Sequence, residues 1–209
     1  MSTSPTLTQR LRPNWLRTRF GPHGRAITRL HATLDGALSI REAAFLHTVA
    51  RGRRTIVEIG SYRGKSTVIM ALAEPNARIT AIDPHTHEHT PKPEADNHAI
   101  FHRTLLAHGV ADRIEHWRRG SRGAAADWDG PPIDLVFVDG DHTYEGAKGD
   151  LAEWSPLVAP GGVVAAHDTF RRRYEGCLRA WEQTIAQDRS FGPTRRVRTI
   201  AWARKHAAS

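Results

Sequence analysis

Two short clusters of acid and histidine stand out in this 209-residue chain, Val138-Asp139-Gly140-Asp141-His142 and Ala166-His167-Asp168. Hard divalent cations such as Mg²⁺ take carboxylate and water oxygens, usually with one or two carboxylates from the protein. Asp139 and Asp168 supply that number. His167 is a third candidate ligand, and an imidazole in the set leaves room for Mn²⁺ beside Mg²⁺. His142, three residues after Asp139, belongs to the residue type that titrates near neutral pH and is the candidate general base. A lone Asp-His pair at a strand end is often only a cap; two pairs facing one sheet edge point to chemistry.

The second constellation is a strand running into a glycine turn and a helix start, Val57-Glu58-Ile59-Gly60-Ser61-Tyr62-Arg63-Gly64-Lys65-Ser66-Thr67. In open α/β sheets the crevice beyond the carboxyl ends of the strands holds the ligand, and glycine permits close backbone approach. The spacing is G-x-x-x-G, so neither the dinucleotide fingerprint nor the P-loop is met. Asp83, 23 residues beyond Gly60 at the end of the next apolar run, sits near the ~20-residue offset at which an acidic side chain takes ribose hydroxyls.

Short Val- and Ile-rich runs alternate with longer stretches of helical period, which is the pattern of βαβ units. The fold class expected is α/β, Rossmann-like, with a mostly parallel doubly wound sheet and an antiparallel C-terminal edge strand. Strands are expected at Thr55–Gly60, Arg78–Asp83, Ile114–Trp117, Ile133–Asp139 and Gly162–His167, and an edge pair at Phe191–Val197 and Thr199–Arg204, the former weakened by Pro193. Helices are expected from Gly64 onward, over Ala95–His108, Tyr144–Leu157 and Tyr174–Gln187, and over Ile40–Val49, where Ser39 and Glu42 have capping-box spacing. The whole of 1–209 reads as one domain, with 1–38 as an N-terminal arm or lid.

Glu58-Ile59-Gly60-Ser61, Asp83 and Ile133-Asp134-Leu135-Val136-Phe137-Val138-Asp139-Gly140 together resemble the class I S-adenosylmethionine methyltransferases, over roughly residues 40–205. The resemblance implies S-adenosylmethionine as cofactor, with Glu58 near its amino group, Gly60, Ser61 and Ser66 lining the turn, Asp83 on the ribose, Ser121 beside the adenine and Asp139 at the reacting end. Asp139, His142 and the later His167-Asp168 further resemble the metal-dependent O-methyltransferases of sugar hydroxyls, although His167 stands where that family has an acid. That resemblance implies a small saccharide acceptor, a divalent metal on Asp139, His167 and Asp168, His142 as base and a homodimer. The compact, arginine-rich chain is also similar to mycobacterial methyltransferases of methylmannose polysaccharide biosynthesis, which implies transfer to O1 of a mannoside already methylated at O3. Tyr144 and Glu145 are candidates to line the acceptor pocket, or simply begin a helix.

Composition bounds the alternatives. The net charge of +8 would suit a nucleic acid, yet 26 of the 30 basic residues are arginine, a bias that GC-rich coding can produce without selection for a polyanion. The fourth strand ends in Val-Asp-Gly-Asp-His and lacks the Asn/Asp-Pro-Pro-aromatic signature of base-amine methyltransferases, so RNA or DNA methylation is the alternative reading. A non-catalytic cofactor-binding subunit is a third, disfavoured by the acidic cluster. The dense stretch Arg10, Arg12, Arg17, Arg19, Arg25 and Arg29 can be a solvated lid, a nucleic-acid footprint or a contact for an acidic partner. No apolar run approaches a membrane span, the start lacks signal-peptide character, and Cys177 is the single cysteine, so a cytoplasmic protein without disulfides is expected. His85, His87, His89, His98 and His102 crowd one proline-flanked segment, read as a polar loop, a lid or a second metal site.

Overall fold

The computed structural model describes residues 24–86 and 96–207. The apolar runs become a seven-stranded sheet. β1 (Thr55–Ile59), β2 (Arg78–Ile82), β3 (Ile114–Trp117), β4 (Ile133–Val138) and β5 (Val158–Ala166) run parallel to one another, and β6 (Arg195–Val197) and β7 (Ile200–Arg204) close one edge. The order is β3-β2-β1-β4-β5-β7-β6, with β7 antiparallel to both β5 and β6. This is the Rossmann-like, mostly parallel α/β sheet expected from the alternation of runs.

Strands in such a sheet are covered on both faces, so their residues are apolar throughout and alternate between two cores. Leu135 and Phe137 of β4 face one core with Val163 and Ala165 of β5, whereas Val136 and Val138 face the other with Val164 and Ala166. The first core is covered by α1 (Gly24–Thr33), α2 (Ile40–Ala50), α3 (Lys65–Ala73) and α4 (Asn97–Ala107), and the second by α5 (Tyr144–Trp154) and α6 (Glu175–Trp181).

The capping box at Ser39 forms as expected: the Ser39 hydroxyl accepts from the Glu42 backbone, and the Glu42 carboxylate accepts from the Ser39 N–H at 2.8 Å. Residues 24–38 pack through Ile27, Leu34 and Leu38 onto the first core. The rest of the arm, with Arg10, Arg12, Arg17 and Arg19, lies outside the described residues, as do His87 and His89.

Three boundaries differ from expectation. β5 begins at Val158 rather than Gly162, because the Pro160-Gly161-Gly162 breaker is absorbed as a register shift opposite Ile133 and Leu135, with Gly161 at φ +77°. β6 shrinks to Arg195–Val197, leaving Phe191 as an isolated bridge to Lys205; Pro193 between them has no N–H to give a ladder. The helix expected over Tyr174–Gln187 starts one residue later, after a tight turn at Arg172–Tyr174, and passes from α6 into a wider π turn at Glu182–Ala186. Among the described residues no helix is long and apolar enough to cross a membrane.

Candidate active site

Parallel strands end at the same level, and four of these ends are stitched together. Gly60 N–H donates to the Ile82 carbonyl at 2.9 Å, Asp139 N–H to Ile59 at 2.7 Å, and His167 N–H to Val138 at 2.9 Å. Gly60, Asp83, Asp139 and His167-Asp168 therefore share one edge. Gly60 has φ +82°, and a side-chain carbon there would overlap the Asp139 carbonyl and Gly140 Cα. Its absent side chain thus makes room for the β4 loop as well as for any ligand.

At the turn, Glu58 is wholly buried and its Oε2 accepts from the Thr67 hydroxyl at 2.5 Å. Burial pushes its pKa up to about 7, against hydrogen bonds from Ser66 and Thr67 and with help from the charges of Asp139 and Asp83. Ser66 therefore supports Glu58 from behind. Glu58 Oε1 and Ser61 Oγ are buried with no hydrogen-bond partner, the sort of polar atom that folded proteins rarely leave unpaired unless something else meets it. Asp83 is held by two backbone donors, Tyr62 N–H on Oδ2 at 2.8 Å and His85 N–H on Oδ1 at 2.7 Å. Arg63 reaches Asp35 at 2.5 Å and Asn97 at 2.8 Å, and Lys65 donates to the carbonyls of His31 and Gly36. The loop after α1 thereby braces the turn.

The acid and histidine clusters meet beside it. His142 Nε2 lies 3.2 Å from Asp168 Oδ2 and 3.6 Å from Asp139 Oδ1. His167 Nδ1 lies 3.0 Å from Asp139 Oδ1 and 3.4 Å from Asp168 Oδ1, and its Nε2 lies 3.6 Å from Glu42 Oε2. Burial disfavours both imidazolium ions, but the carboxylates outweigh it, lifting His142 to about 9 and His167 to about 11. Reciprocally, Asp139 is held below the usual carboxylate range despite its burial. Asp168 adopts φ +54°, a left-handed conformation uncommon for a side-chain-bearing residue, and such strain gathers at functional sites. Arg171 reaches both Asp168 oxygens at 3.3 Å, so at least one member of the Arg171–Arg173 run is an ion-pair partner.

Ser121 donates to Asp150 Oδ1 at 2.5 Å. Tyr144 turns away from the cluster toward α6: its hydroxyl donates to Gln183 at 2.5 Å, and the Arg179 guanidinium lies 4.4 Å from its ring centroid. The Glu145 carbonyl accepts from Arg122 at 3.4 Å, and the residue is exposed. Reading the sequence missed three participants. Tyr174 stacks on His142 with ring centroids 4.5 Å apart. The Cys177 thiol donates to the His142 carbonyl at 3.4 Å. Glu42, legible only as a cap, also accepts from the Thr199 backbone and hydroxyl while facing His167.

A family model described as a methyltransferase domain matches residues 57–169, just over half of the chain and every residue of the turn and both clusters. The chain belongs to this methyltransferase family, in agreement with its fold. It is 31% identical over 140 residues to catechol O-methyltransferase of Mycobacterium tuberculosis, a match spanning 65% of this chain and 58% of that protein. It is 29% identical over 145 residues to protein y4gI of Sinorhizobium fredii, spanning 64% of this chain and 15% of the relative. The chain thus spans less than two thirds of either relative. The crystal structure of an O-methyltransferase from Bacillus cereus in complex with SAH shares the fold at TM-score 0.67 and 19% identity, covering 91% of this chain and 96% of that one.

Proposed function

We propose that this chain is an S-adenosylmethionine-dependent O-methyltransferase that acts on a sugar hydroxyl, with His142 taking the acceptor proton. The observation that carries this reading is the convergence of Asp139, His142, His167 and Asp168 at the ends of β4 and β5, against the Gly60 turn. The names of the M. tuberculosis and B. cereus relatives support the O-methyl chemistry.

The turn fits the methionine end of the cofactor. Buried, partnerless Glu58 Oε1 matches an ammonium group and Ser61 Oγ a polar neighbour, while Asp83, fixed by two backbone donors, presents its remaining lone pairs to ribose hydroxyls and Ser121 stands on the adenine side. When bound, S-adenosylmethionine supplies a sulfonium methyl group that passes in line to the acceptor oxygen as the carbon–sulfur bond breaks, leaving S-adenosylhomocysteine.

The donor set also fits a divalent cation. Asp139 and Asp168 bring two carboxylates within 3.0–3.4 Å of the same buried His167 nitrogen, and Asp168 Oδ1 is also paired with Arg171 at 3.3 Å. Asp139, Asp168 and His167 would hold Mg²⁺ or Mn²⁺, which would orient neighbouring acceptor oxygens and lower the pKa of one.

His142 then does the proton work. Beside the Asp139 and Asp168 carboxylates its pKa of about 9 keeps it protonated at neutral pH, and a protonated imidazole donates. Offsetting the two carboxylate charges returns the lone pair to Nε2, which accepts the acceptor proton. Tyr174 stacking keeps the ring plane fixed through that change.

A catechol acceptor is the second reading, favoured by the M. tuberculosis relative; it offers the same two neighbouring oxygens. Radiolabelled methyl transfer to a panel of mannosides, 3-O-methylmannosides, catechol and bulk RNA distinguishes them. Labelling of a saccharide is the expected result, labelling of catechol alone selects the second reading, and labelling of RNA alone overturns both.

A further inference from the structure

Part of the histidine-rich segment is left unused by this chemistry. His98 and His102 stand one turn apart on α4 and so project from the same face, with Nε2 atoms 3.0 Å apart. On β3, the alternation that sends Ile114 into the α4-side core also turns His116 toward α4, and its ring centroid lies 5.2 Å from that of His98 and 5.5 Å from that of His102. One ligand atom from each of the three residues falls within 4.8 Å of the others.

We propose that His98, His102 and His116 form a second metal site, selective for a borderline ion of the zinc class and independent of the proposed methyl-transfer chemistry. A tetrahedral zinc ion with bonds of about 2.0–2.1 Å needs ligand nitrogens roughly 3.3 Å apart, which small side-chain rotations of these three rings provide. A helical histidine pair plus one from a neighbouring strand gives three ligands and leaves a fourth position for water. The three ligands include no carboxylate, so imidazole-binding ions are favoured over Mg²⁺ or Ca²⁺.

Two neighbouring observations point the same way. His116 Nε2 lies 3.3 Å from the Asp83 carbonyl; an N–H donated there leaves the Nδ1 lone pair free, the kind of outer contact that fixes a ligand tautomer. His85 lies with its ring centroid 4.9 Å from that of His116, and both of its buried ring nitrogens lack hydrogen-bond partners. Through His116 and His85 the site adjoins Asp83, so an ion there would clip α4 to β3 beside the ribose carboxylate.

Calorimetric titration of the chelator-stripped full chain with zinc chloride tests this, using His102→Ala, His116→Gln and Asp139→Asn/Asp168→Asn variants. His102 is exposed, and a zinc-free melting curve matching the wild type verifies that its variant folds. The expected result is binding at about 10 μM or tighter that weakens about tenfold or more in His102→Ala and persists in Asp139→Asn/Asp168→Asn, the tenfold being the least that even outer-shell losses cost such sites. Weaker wild-type binding, a smaller loss in His102→Ala, or loss only in the Asp139→Asn/Asp168→Asn variant overturns the proposal. His116→Gln decides by the same threshold.

Discussion

His142 Nε2 stands 3.2 Å from Asp168 Oδ2, and the pair ties the end of β5 to the loop after β4. Asp139 Oδ1 lies 3.6 Å from the same nitrogen, so one imidazole N faces two negative charges. The same geometry that motivates the proposed base role also holds the imidazole protonated while those charges stand.

The titration of His142 follows from that arrangement. In chelator, its imidazole signals should titrate with a midpoint of about 9, above the ordinary 6.5, and Asp168→Asn should bring the midpoint down by at least about one unit, since one opposite charge at this distance shifts a pKa by about 1–3 units. Because the folded value is raised, the stabilisation it contributes is complete below about 6.5 and is lost as pH rises through about 9. Asp168→Asn should flatten that part of the stability curve. A wild-type midpoint near 6.5 by NMR would contradict the assignment.

The ribose-binding role proposed for Asp83 is separable from the proton chemistry. Asp83→Ala should weaken S-adenosylmethionine binding by about 10–100-fold, the range for losing charge-assisted hydrogen bonds worth about 1.5–3 kcal/mol, with kcat at saturating cofactor changed far less. An unchanged dissociation constant in fluorescence or calorimetric titration would remove Asp83 from the ribose.

Asp150 offers a test of the fold around Ser121. It is 3% exposed, and burial raises its pKa to about 6 despite the Ser121 hydrogen bond. A carboxyl raised from 3.8 to about 6 is most favourable below 3.8 and loses that benefit as pH rises through 6. Asp150→Asn, which can keep the bond from Ser121, should therefore gain stability relative to wild type on going from pH 4 to pH 8, by about 1–3 kcal/mol at 1.36 kcal/mol per pKa unit. Urea melts at the two pH values read this directly, and a gap that stays constant with pH would refute it.

Much of the fold was legible because its signals are local or periodic. The Val- and Ile-rich runs mark β1 to β5, and Ser39 with Glu42 marks the start of α2 through contacts three residues apart. That the ends of β4 and β5 bring Asp139, His142 and His167-Asp168 together was legible because parallel strands must finish side by side. The remainder depends on contacts between distant residues. Glu42 meets Thr199 across 157 residues, and no spacing rule carries that distance. Tyr174, expected to open a helix, instead ends a tight turn at Arg172–Tyr174 and stacks on His142, 32 residues before it in sequence. Tyr144, next to His142 in sequence, is instead drawn to Arg179 and Gln183 on the chain that follows.

Proton transfer to His142, the proposed base, is the central step of the proposed methyl transfer. The most direct test compares initial rates of methyl transfer, and the S-adenosylmethionine dissociation constant, between wild type and His142→Ala with a saccharide acceptor and Mg²⁺. Loss of a general base predicts a fall in kcat of about 10²–10⁴-fold with cofactor affinity nearly unchanged. A variant that retains its rate, or loses rate and cofactor affinity together, would contradict the account.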